Sequence, residues 1–403
     1  MFPGPRRESN KDVRSIEGNR TMLKGVRVVE IGSFITAPLA SMMLGDLGAD
    51  VIKVERPEGD PFRRARGGLY SPNFVALNRN KRSIVLDLGS AQDKATLLAL
   101  IDKSDVLLDN LRLGALTKYG LDPRHLAGRN PRLIHCSITG FGAVGPYRGR
   151  PVFDAVGQAL SGISSLTLDP DAPMSSGPTI SDDVTGMYAC FAILGALYDR
   201  ERTGRGHRLE VNMLEASMAF IQGAYAHFMQ RGVIPDRFTR ASASQSFVFR
   251  CADRKLLAVH LSTGEVFWKS LVSKVLEAAE LAADARFASH LERVNNYAVL
   301  RDSMATRFLA RTRADWMQRL EQADVPFAPV YQVDEALADP QVLANGTVCE
   351  LTHPTEGRVR TIHTPVLVDG KRPESDRRAP PTLGEHTEEI RAAIVNFAAG
   401  TAC

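Results

Sequence analysis

Two adjacent aspartates, Asp182 and Asp183, are the residues whose type and position best suit chemistry in this chain. They follow the segment GPTIS and precede the apolar run MYACFAILGALY, which predicts a buried helix over about 184–201. Carboxylates at the start of a helix usually cap it and interact favourably with its dipole. The alternative is a carboxylate aimed into a cleft, where the helix dipole would keep it ionised and nucleophilic at neutral pH.

Basic side chains near the ends of predicted strands could bind an anionic ligand. Composition alone favours a solvated surface for such residues. Parallel sheets, however, bind ligands just beyond the carboxyl ends of their strands, so the rim of a pocket for a phosphorylated molecule is the alternative. The residues concerned are Arg56, Arg79, Lys81, Arg82 and Lys118.

The elements that must position these residues alternate between strand and helix. Short apolar segments predict strands over 26–32, 83–88 and 105–110, and longer segments predict helices over 36–47 and 90–103. A further strand is predicted to end near Glu55, and Ser90 is the expected cap of the second helix. Such alternation predicts an α/β fold with a parallel sheet covered on both faces.

The pattern changes at about Phe247. The segment FVFRCADRKLLAVHL predicts an antiparallel hairpin that turns at 252–255, and helices are expected from there to about 323. Two or three β segments are predicted between 347 and 368, followed by an extended proline-rich arm and a short helix.

Composition narrows the class of protein. The 403 residues contain 50 Lys plus Arg and 46 Asp plus Glu, and this net charge of +4 argues against binding polyanions by bulk charge. Five widely spaced cysteines without a CxxC pair favour a reducing cytoplasm over a disulfide scaffold or zinc site. We expect residues 1–22 to form a mobile extension without a signal peptide, and the apolar run at 187–198 is too short to span a bilayer.

Several familiar motifs are missing from the sequence. Glu55 lies where a dinucleotide-binding fold places its ribose-binding acid, but the preceding turn is GSFITAP rather than GxGxxG. A Walker A loop, an HExxH pair and a GxSxG elbow are also missing. His135 lies in an apolar strand, where a lone histidine is usually part of the core.

Several long motifs follow one another from about Leu23 to the end of the chain. They include LKGVRVVEIGSFITAPLASMMLGDLGADVIKVERPEGD, NRNKRSIVLDL, PRLIHCSITGFGAVGPY, FDAVGQALSG, ISDDVTGMYACFAILGALYDRERTGRGHRLEVNMLEA and APPTLGEHTEEI. In this order they resemble the motifs of the family III CoA-transferases (CaiB/BaiF type). That family includes formyl-CoA transferase, the carnitine CoA-transferases, succinate–hydroxymethylglutarate CoA-transferase and the related alpha-methylacyl-CoA racemase.

The resemblance implies a particular architecture. A large Rossmann-like, CoA-binding domain would comprise residues 23–215 and 335–403, and a smaller inserted α+β domain with linking helices would comprise 216–334. Two such subunits would form an interlocked homodimer.

The resemblance also assigns roles to residues. The family's nucleophilic aspartate opens a D-x-x-[ST]-G motif, which matches Asp182, and Asp154 resembles its acidic partner. Gly186 and the segment 242–245 are candidates for supplying backbone N–H donors and a lid against water. The positions that would contact CoA are Arg56, Leu86, Asn110, Leu111, Lys118 and Arg150.

The implied activity is transfer of CoA from an acyl-CoA to a carboxylic acid, through an aspartyl anhydride and an aspartyl-CoA thioester. Acyl-CoA and the acceptor are substrates, and we expect no tightly bound cofactor, metal, nucleic acid or membrane partner. Ser242–Gln245 replaces a glycine-rich loop of formyl-CoA transferase, and Ile35 replaces a glutamine. These differences argue against formate and oxalate, and the central motifs favour succinyl-CoA or another dicarboxylyl-CoA.

Two other functions remain open from the sequence. The racemase of this family has a histidine immediately before the aspartate that matches Asp154, whereas this chain has Phe153, which cannot transfer a proton. An inactive CoA-binding protein is the second alternative, and the intact aspartate motif argues against it.

Overall fold

The computed structural model describes residues 21–64, 68–175, 177–262, 264–373 and 377–399, with side chains described as far as 394. The expected N-terminal extension at 1–22 therefore lies almost entirely outside the described residues. The strands are β1 (Arg27–Ile31), β2 (Asp50–Glu55), β3 (Lys81–Val85), β4 (Val106–Asp109), β5 (Ile134–Thr139), β6 (Arg208–Asn212), β7 (Ser246–Arg250), β8 (Leu256–His260), β9 (Phe327–Pro329), β10 (Val348–His353) and β11 (Gly357–Ile362).

The helices are distributed along the whole described chain. They are α1 (Thr36–Asp46), α2 (Pro72–Leu77), α3 (Ala91–Asp102), α4 (Ala115–Lys118), α5 (Pro123–Arg129), α6 (Asp154–Leu160), α7 (Ser181–Thr203), α8 (Met213–Phe220), α9 (Gln222–Arg231), α10 (Thr239–Ala243), α11 (Glu265–Ser270), α12 (Ala279–Ala283), α13 (His290–Asn295), α14 (Tyr297–Phe308), α15 (Arg313–Gln322), α16 (Val333–Leu337), α17 (Pro340–Ala344) and α18 (Thr387–Ala399). A π-helical turn (Leu271–Val275) follows α11, and short 3-10 turns occur at Pro61–Arg64, Ser164–Leu166 and Ala285–Phe287.

Two compact units divide the chain. The first contains residues 1–138, 186–210 and 350–403, and the second contains 139–185 and 211–349. Helix α7 contributes residues to both units. The domain bounds expected from the sequence stay a prediction.

The main sheet has six strands in the order β3-β2-β1-β4-β5-β6. Its neighbours pair in parallel; Val28 of β1, for example, lies between Val51 of β2 and Val106 of β4. This order is that of Rossmann-type folds, so the α/β prediction is confirmed. Apolar side chains of β1, β2 and β3 form the core with those of α3 and α5; they include Val29, Ile52, Ile84, Leu97 and Leu126.

Local signals fix several of the predicted elements. Ser90 accepts a hydrogen bond from the backbone N–H of Asp93 and caps α3, as predicted. Strand β3 begins and ends earlier than the segment 83–88 suggested. Helix α7 begins at Ser181 rather than near 184, so Asp182 and Asp183 lie in its first turn instead of preceding it.

The second unit contains a separate three-stranded sheet. Strands β7 and β8 form the predicted antiparallel hairpin, and β9 pairs with β8. Its core is rich in aromatic residues. The rings of Phe249 and Phe308 stack with their centroids 4.2 Å apart, and the tilted ring of Trp316 lies 4.8 Å from that of Phe308.

The C-terminal arm covers the open edge of the main sheet. Strand β3 is the outermost strand, and its outward backbone N–H groups at Ser83 and Val85 donate to His386 and Thr387. In the other direction, the N–H of His386 donates to the carbonyl of Ser83 at 2.9 Å. The arm therefore satisfies an edge that would otherwise be free to pair with another strand.

A buried network of charges joins the first three strands. Glu30 on β1 accepts hydrogen bonds from Lys53 on β2 at 2.7 Å and from Lys81 on β3 at 2.8 Å, and the three side chains are fully buried. Lys53 also pairs with Asp60 at 3.0 Å. Burial alone would raise the pKa of Glu30, but the two lysines lower it to about 2. Charges this deep must be paired, so the network constrains how the three strands meet.

The two lysines experience the network differently. Burial would lower the pKa of Lys53, but the carboxylates of Glu30, Asp60 and Glu55 raise it above its usual range. Burial lowers the pKa of Lys81 to about 8; Glu30 opposes this shift, and the like charge of Lys53 adds to it. Lys53 is thus the cation on which the buried carboxylates depend.

The part of the chain that the structure describes contains no helix long and apolar enough to cross a membrane. Among the same residues, no group of three or more His, Cys, Asp or Glu side chains could hold a metal ion. The described cysteines Cys136, Cys190 and Cys251 are free and buried, and Cys349 is buried.

We expect Lys53→Met to lower the free energy of unfolding by about 3–5 kcal/mol, because it leaves Asp60 buried without its cation and Glu30 with Lys81 alone. Denaturant unfolding monitored by circular dichroism measures this change. Lys103→Met, at an exposed position after α3, is the matched control and should change stability by less than about 0.5 kcal/mol. Equal effects of the two substitutions would show that the network does not stabilise the fold.

Candidate active site

Asp182 and Asp183 are adjacent in sequence but differ in their surroundings. Asp183 accepts a hydrogen bond at 2.9 Å from the hydroxyl of Thr179, which precedes α7. Within the described part of the chain, no donor bonds to the carboxylate of Asp182, although that side chain is half-buried. Asp182 therefore carries the less satisfied of the two charges.

A third carboxylate lies at the same helix end. Asp154, in the first turn of α6, accepts a hydrogen bond at 3.2 Å from the backbone N–H of Asp182 and so caps α7 from outside the helix. Its second oxygen accepts a hydrogen bond at 2.6 Å from the side chain of Gln158. The expected proximity of Asp154 to Asp182 is thus present in the structure.

Close packing brings these elements together. A Cβ on Gly157 of α6 would lie 2.6 Å from the sulfur of Met213 on α8 and 2.9 Å from Ser181 of α7. The hydroxyl of Ser217 on α8 donates to that of Ser181 at 2.8 Å. A side chain at position 157 would therefore separate the helices that hold the three carboxylates.

The electrostatics of Asp182 differ from the sequence-based expectation. A helix dipole alone would lower the pKa of a carboxylate at this position. Burial and the negative charges of Asp154 and Asp183 instead raise the pKa of Asp182 to about 7. Burial also raises the pKa of Asp183, against the hydrogen bond from Thr179. The expectation that the dipole keeps Asp182 fully ionised at neutral pH is therefore wrong.

Most of the predicted CoA-contacting residues lie at one edge of the main sheet. Arg56 directly follows β2, Leu86 follows β3, and Asn110 and Leu111 follow β4. Lys118 is the exposed last residue of α4, a short helix that follows β4. The carboxyl ends of three strands thus present these positions together, where parallel sheets bind ligands.

These side chains are not equally available to a ligand. The Arg56 side chain is 63% exposed, and Leu86 is buried in the core. Asn110 accepts a hydrogen bond from the N–H of Ser33 at 3.1 Å and donates to the carbonyl of Ser33 and the hydroxyl of Thr36. The side chain of Asn110 therefore holds the turn between β1 and α1.

The buried charged residues also hold the turn between β1 and α1. Phe34 has a positive φ of 64°, which is unfavourable for a residue other than glycine. Its N–H donates to Asp60 at 3.3 Å, and Lys53 donates to the carbonyl of Gly32 at 2.9 Å. The network and Asn110 together keep this turn in a strained conformation at the carboxyl edge of the sheet.

Gly186 has a steric role in the first unit. A Cβ at this position would lie 2.7 Å from the carbonyl oxygen of Thr36 and 3.1 Å from Leu39. Glycine thus lets α7 approach α1. Gly186 lies within α7, where backbone N–H groups ordinarily donate to carbonyls one turn earlier.

Arg150 and the segment 242–245 belong to the second unit. Arg150 is exposed, and its guanidinium lies 4.5 Å from the ring centre of Tyr147. The segment is not an open loop, because α10 extends to Ala243 and Gln245 ends the turn with a positive φ of 48°. Buried Arg293 donates to the side chain of Gln245 at 3.1 Å and anchors the segment.

The structure corrects the interpretation of three basic residues. Lys81 and Arg82 begin β3 and therefore lie at the amino end of the strand, away from the ligand-binding edge. Arg79 is buried and pairs with Asp46, and Arg82 pairs with Asp50. Arg79 and Lys81 neutralise buried carboxylates, whereas Arg82 pairs with the partly exposed Asp50 and the exposed Glu389.

Two other candidate residues also serve the fold. Glu55 is buried and accepts hydrogen bonds from Arg63 at 2.6 and 2.7 Å and from Ser83 at 2.6 Å. These contacts occupy the carboxylate that a ribose would require. His135 is buried and bonds to Asp109 at 2.9 Å, in agreement with the predicted core role.

Sequence reasoning missed Gln158, which connects Asp154 to the loop before α7. A signal was present, because Asp154 and Gln158 are four residues apart and lie on one face of a helix. It also missed the role of Lys53, although a lysine inside the apolar strand VIKV is unusual enough to indicate a buried ion pair.

Comparisons with known proteins agree with this architecture. The model of CoA-transferase family III matches residues 23–387. A succinate–glutarate CoA-transferase of Agrobacterium fabrum is 34% identical over 385 residues, covering 92% of this chain and 95% of that protein. A human succinyl-CoA:glutarate CoA-transferase is 31% identical over 382 residues, covering 93% and 86%. The crystal structure of a CAIB/BAIF family protein from Brucella suis has a TM-score of 0.82 and 34% identity, covering 93% of this chain and 99% of that one.

The fold and these matches define an enzyme that transfers CoA. The chain belongs to CoA-transferase family III, which confirms the resemblance drawn from its motifs. Acyl-CoA thioesters are therefore its substrates.

We expect Asp154→Asn to lower the pKa of Asp182 from about 7 towards the ordinary range of an aspartate, because the substitution removes a neighbouring negative charge while its amide oxygen can still cap α7. Carbon-13 NMR of protein labelled at the aspartate carboxyl carbons measures the titration, and the spectrum of Asp182→Asn identifies the resonance. Asp334→Asn, at an exposed position of α16, is the control. An unchanged midpoint in Asp154→Asn would contradict this electrostatic account.

Proposed function

We propose that the protein transfers CoA between carboxylic acids with Asp182 as the nucleophile. The supporting observation is the contrast between the two aspartates of α7. Thr179 satisfies Asp183, whereas Asp182 is half-buried, lacks a donor among the described residues and has a raised pKa. A carboxylate whose negative charge is poorly stabilised loses that charge when it forms a covalent bond, so bond formation is favoured.

The reaction begins with the donor acyl-CoA. The ionised Asp182 carboxylate attacks the thioester carbonyl, the carbon–sulfur bond breaks, and CoA leaves as a thiolate. The thiolate then attacks the aspartyl carbonyl of this mixed anhydride and releases the donor's carboxylate. An aspartyl-CoA thioester remains, and charge and atoms balance because each attacking anion replaces a leaving anion.

The acceptor completes the cycle. Its carboxylate attacks the aspartyl-CoA thioester and expels the thiolate, which gives a second anhydride. The thiolate attacks the acceptor's carbonyl, so the new acyl-CoA leaves and the Asp182 carboxylate is regenerated. Each nucleophile is already an anion, so the steps require no side chain as a general base.

The charges around Asp182 favour these covalent intermediates. Asp182, Asp154 and Asp183 concentrate negative charge at the start of α7, and this repulsion contributes to the raised pKa of Asp182. Acylation makes Asp182 neutral and relieves the repulsion. The same repulsion leaves Asp182 only partly ionised at neutral pH, since its pKa is about 7.

We propose that CoA binds at the carboxyl ends of β2, β3 and β4. Arg56 and Lys118 are exposed cations of the first unit suited to its phosphates. Arg150, an exposed cation of the second unit, is proposed as a CoA contact from the family resemblance alone. Leu86 and Leu111 would contribute backbone and apolar contacts, and Asn110 would act through the turn that it holds. Gly186 would support the site by letting α7 approach α1.

Succinyl-CoA is the proposed donor, and a dicarboxylate such as glutarate is the proposed acceptor. This proposal follows the names of the Agrobacterium fabrum and human relatives. The cytoplasm remains the proposed compartment, where acyl-CoA and free dicarboxylates would both be available.

A homodimer, interlocked as the family resemblance implies, is also proposed. None of the ten residues of α9 is buried in the single chain. Phe228 and Met229 at its end are 51% and 72% exposed, and Ile234 beyond it is 80% exposed. An apolar surface of this kind is costly in water unless a partner covers it.

We expect light scattering after size-exclusion chromatography to give the mass of two chains, unchanged on dilution. Phe228→Asp combined with Ile234→Asp should reduce the dimer fraction, because it places charges on a covered surface. Leu291→Asp, at an exposed position of α13, is the control and should leave the mass unchanged. A monomer at all concentrations would refute the proposed dimer.

We expect Asp182→Asn to lower the rate of transfer from succinyl-CoA to glutarate by at least about a thousandfold, because an amide cannot form the anhydride. Asp183→Asn should retain activity within about tenfold, since Thr179 can also bond to an amide. Chromatography of acyl-CoA products measures both rates, and mass spectrometry of quenched enzyme should find CoA attached to Asp182 in the wild type.

Other outcomes would refute the proposal in distinct ways. Wild-type protein that binds CoA but forms no new acyl-CoA with a panel of carboxylates would be a binding protein. Exchange of the α-hydrogen of a 2-methylacyl-CoA with deuterated water, abolished in Asp182→Asn, would instead indicate the racemase reaction.

A further inference from the structure

We propose that Gln158 is a positioning residue for the transfer reaction: it fixes the Asp154 carboxylate against the start of α7 and thereby sets the position of Asp182. The proposal rests on the proposed role of Asp182 as the nucleophile. It concerns a residue that would touch neither CoA nor the reacting atoms.

The geometry of Gln158 supports this role. Its amide nitrogen donates to Asp154 at 2.6 Å and to the carbonyl of Pro178 at 3.2 Å. Pro178 lies in the short segment that leads into α7. One side chain thus joins the carboxylate that caps α7 to the chain that enters it.

The orientation of the amide is determined by its partners. A carboxylate oxygen and a backbone carbonyl can only accept hydrogen bonds, so both must face the NH₂ group rather than the oxygen of Gln158. The side chain is also 9% exposed and has little freedom to turn. Loss of both hydrogen bonds would leave an oxygen of the Asp154 carboxylate and the carbonyl of Pro178 without this donor.

Asp154 in turn contacts Asp182 through the backbone N–H of that residue. With one oxygen held by Gln158, the other oxygen of Asp154 accepts the N–H of Asp182 at 3.2 Å. This contact fixes both the first turn of α7 and the distance between the two carboxylates. A shift of the Asp154 carboxylate would therefore change both the position and the ionisation of Asp182.

Gln158 can act on Asp182 through Asp154, which is one of the charged neighbours of Asp182. The charges that act on it are Asp154 from α6 and Asp183 from α7 itself. Helix α8 packs against the same turn through the uncharged Ser217. Gln158 donates to Asp154 and so holds in place one of the negative charges that raise the pKa of Asp182.

The test is a double-mutant cycle with Gln158→Met and Asp154→Asn, assayed with succinyl-CoA and glutarate across a range of pH. Methionine has a similar shape but donates no hydrogen bond. We expect Gln158→Met to lower kcat about tenfold or more with little change in KM for the acyl-CoA. The pH midpoint of kcat should fall, because an Asp154 carboxylate that is no longer held beside α7 raises the pKa of Asp182 less; Asp154→Asn removes that charge and should lower the midpoint too.

The decisive measurement is the effect of Gln158→Met in the Asp154→Asn background. An asparagine at 154 already breaks the bond to Gln158, so the second substitution should change kcat by less than about twofold. Gln318→Met, at an exposed position of α15, is the matched control and should change neither kcat nor the midpoint.

Each contrary result has a separate meaning. Equal losses of kcat in both backgrounds with an unmoved pH midpoint would show a merely structural glutamine and overturn the inference. Full transfer by Asp182→Asn would overturn the proposed function itself. If Gln158→Met does not fold, as judged by circular dichroism, Gln158→Leu removes the same donors without adding a charge, and its effect on kcat in the two backgrounds decides the question.

Discussion

The buried ion pairs of Glu30 with Lys53 and Lys81 are the interaction on which much of the first unit depends. They connect β1, β2 and β3, and Lys53 extends the connection to Asp60 and to the turn after β1. Apolar packing tolerates small displacements, but a buried charge that loses its partner is strongly destabilising. The network therefore restricts the geometry of the sheet edge where Arg56 and Asn110 lie, and it holds Phe34 in its unfavourable conformation.

Two groups of buried carboxylates in this protein show opposite electrostatic behaviour. Glu30 is surrounded by lysines, which lower its pKa, so its charge stabilises the fold. Asp182 has carboxylates as neighbours, and its pKa is raised. The same functional group thus has opposite pKa shifts in the two settings, and the difference follows from the charges around it.

Much of the first unit could be predicted from the sequence, because short apolar segments and a serine cap carry local information. The family motifs predicted the role that is proposed for Asp182, and the comparisons confirmed the family. The roles of Lys53 and Gln158 were missed because they depend on partners distant in sequence, as in the contact between Gln158 and Pro178. The environment of Asp182 was also misjudged: the helix start was visible, but its burial and neighbouring charges appear only in the folded chain.

The covering of β3 by the C-terminal arm has a consequence for how the protein is made. During synthesis, β3 leaves the ribosome about 300 residues before His386 and Thr387. The edge of the nascent sheet therefore stays uncovered while the intervening residues are produced, and exposed edges invite pairing with other chains. Contacts separated by about 300 residues close slowly, so the nascent protein is expected to depend on chaperones more than its final stability would suggest.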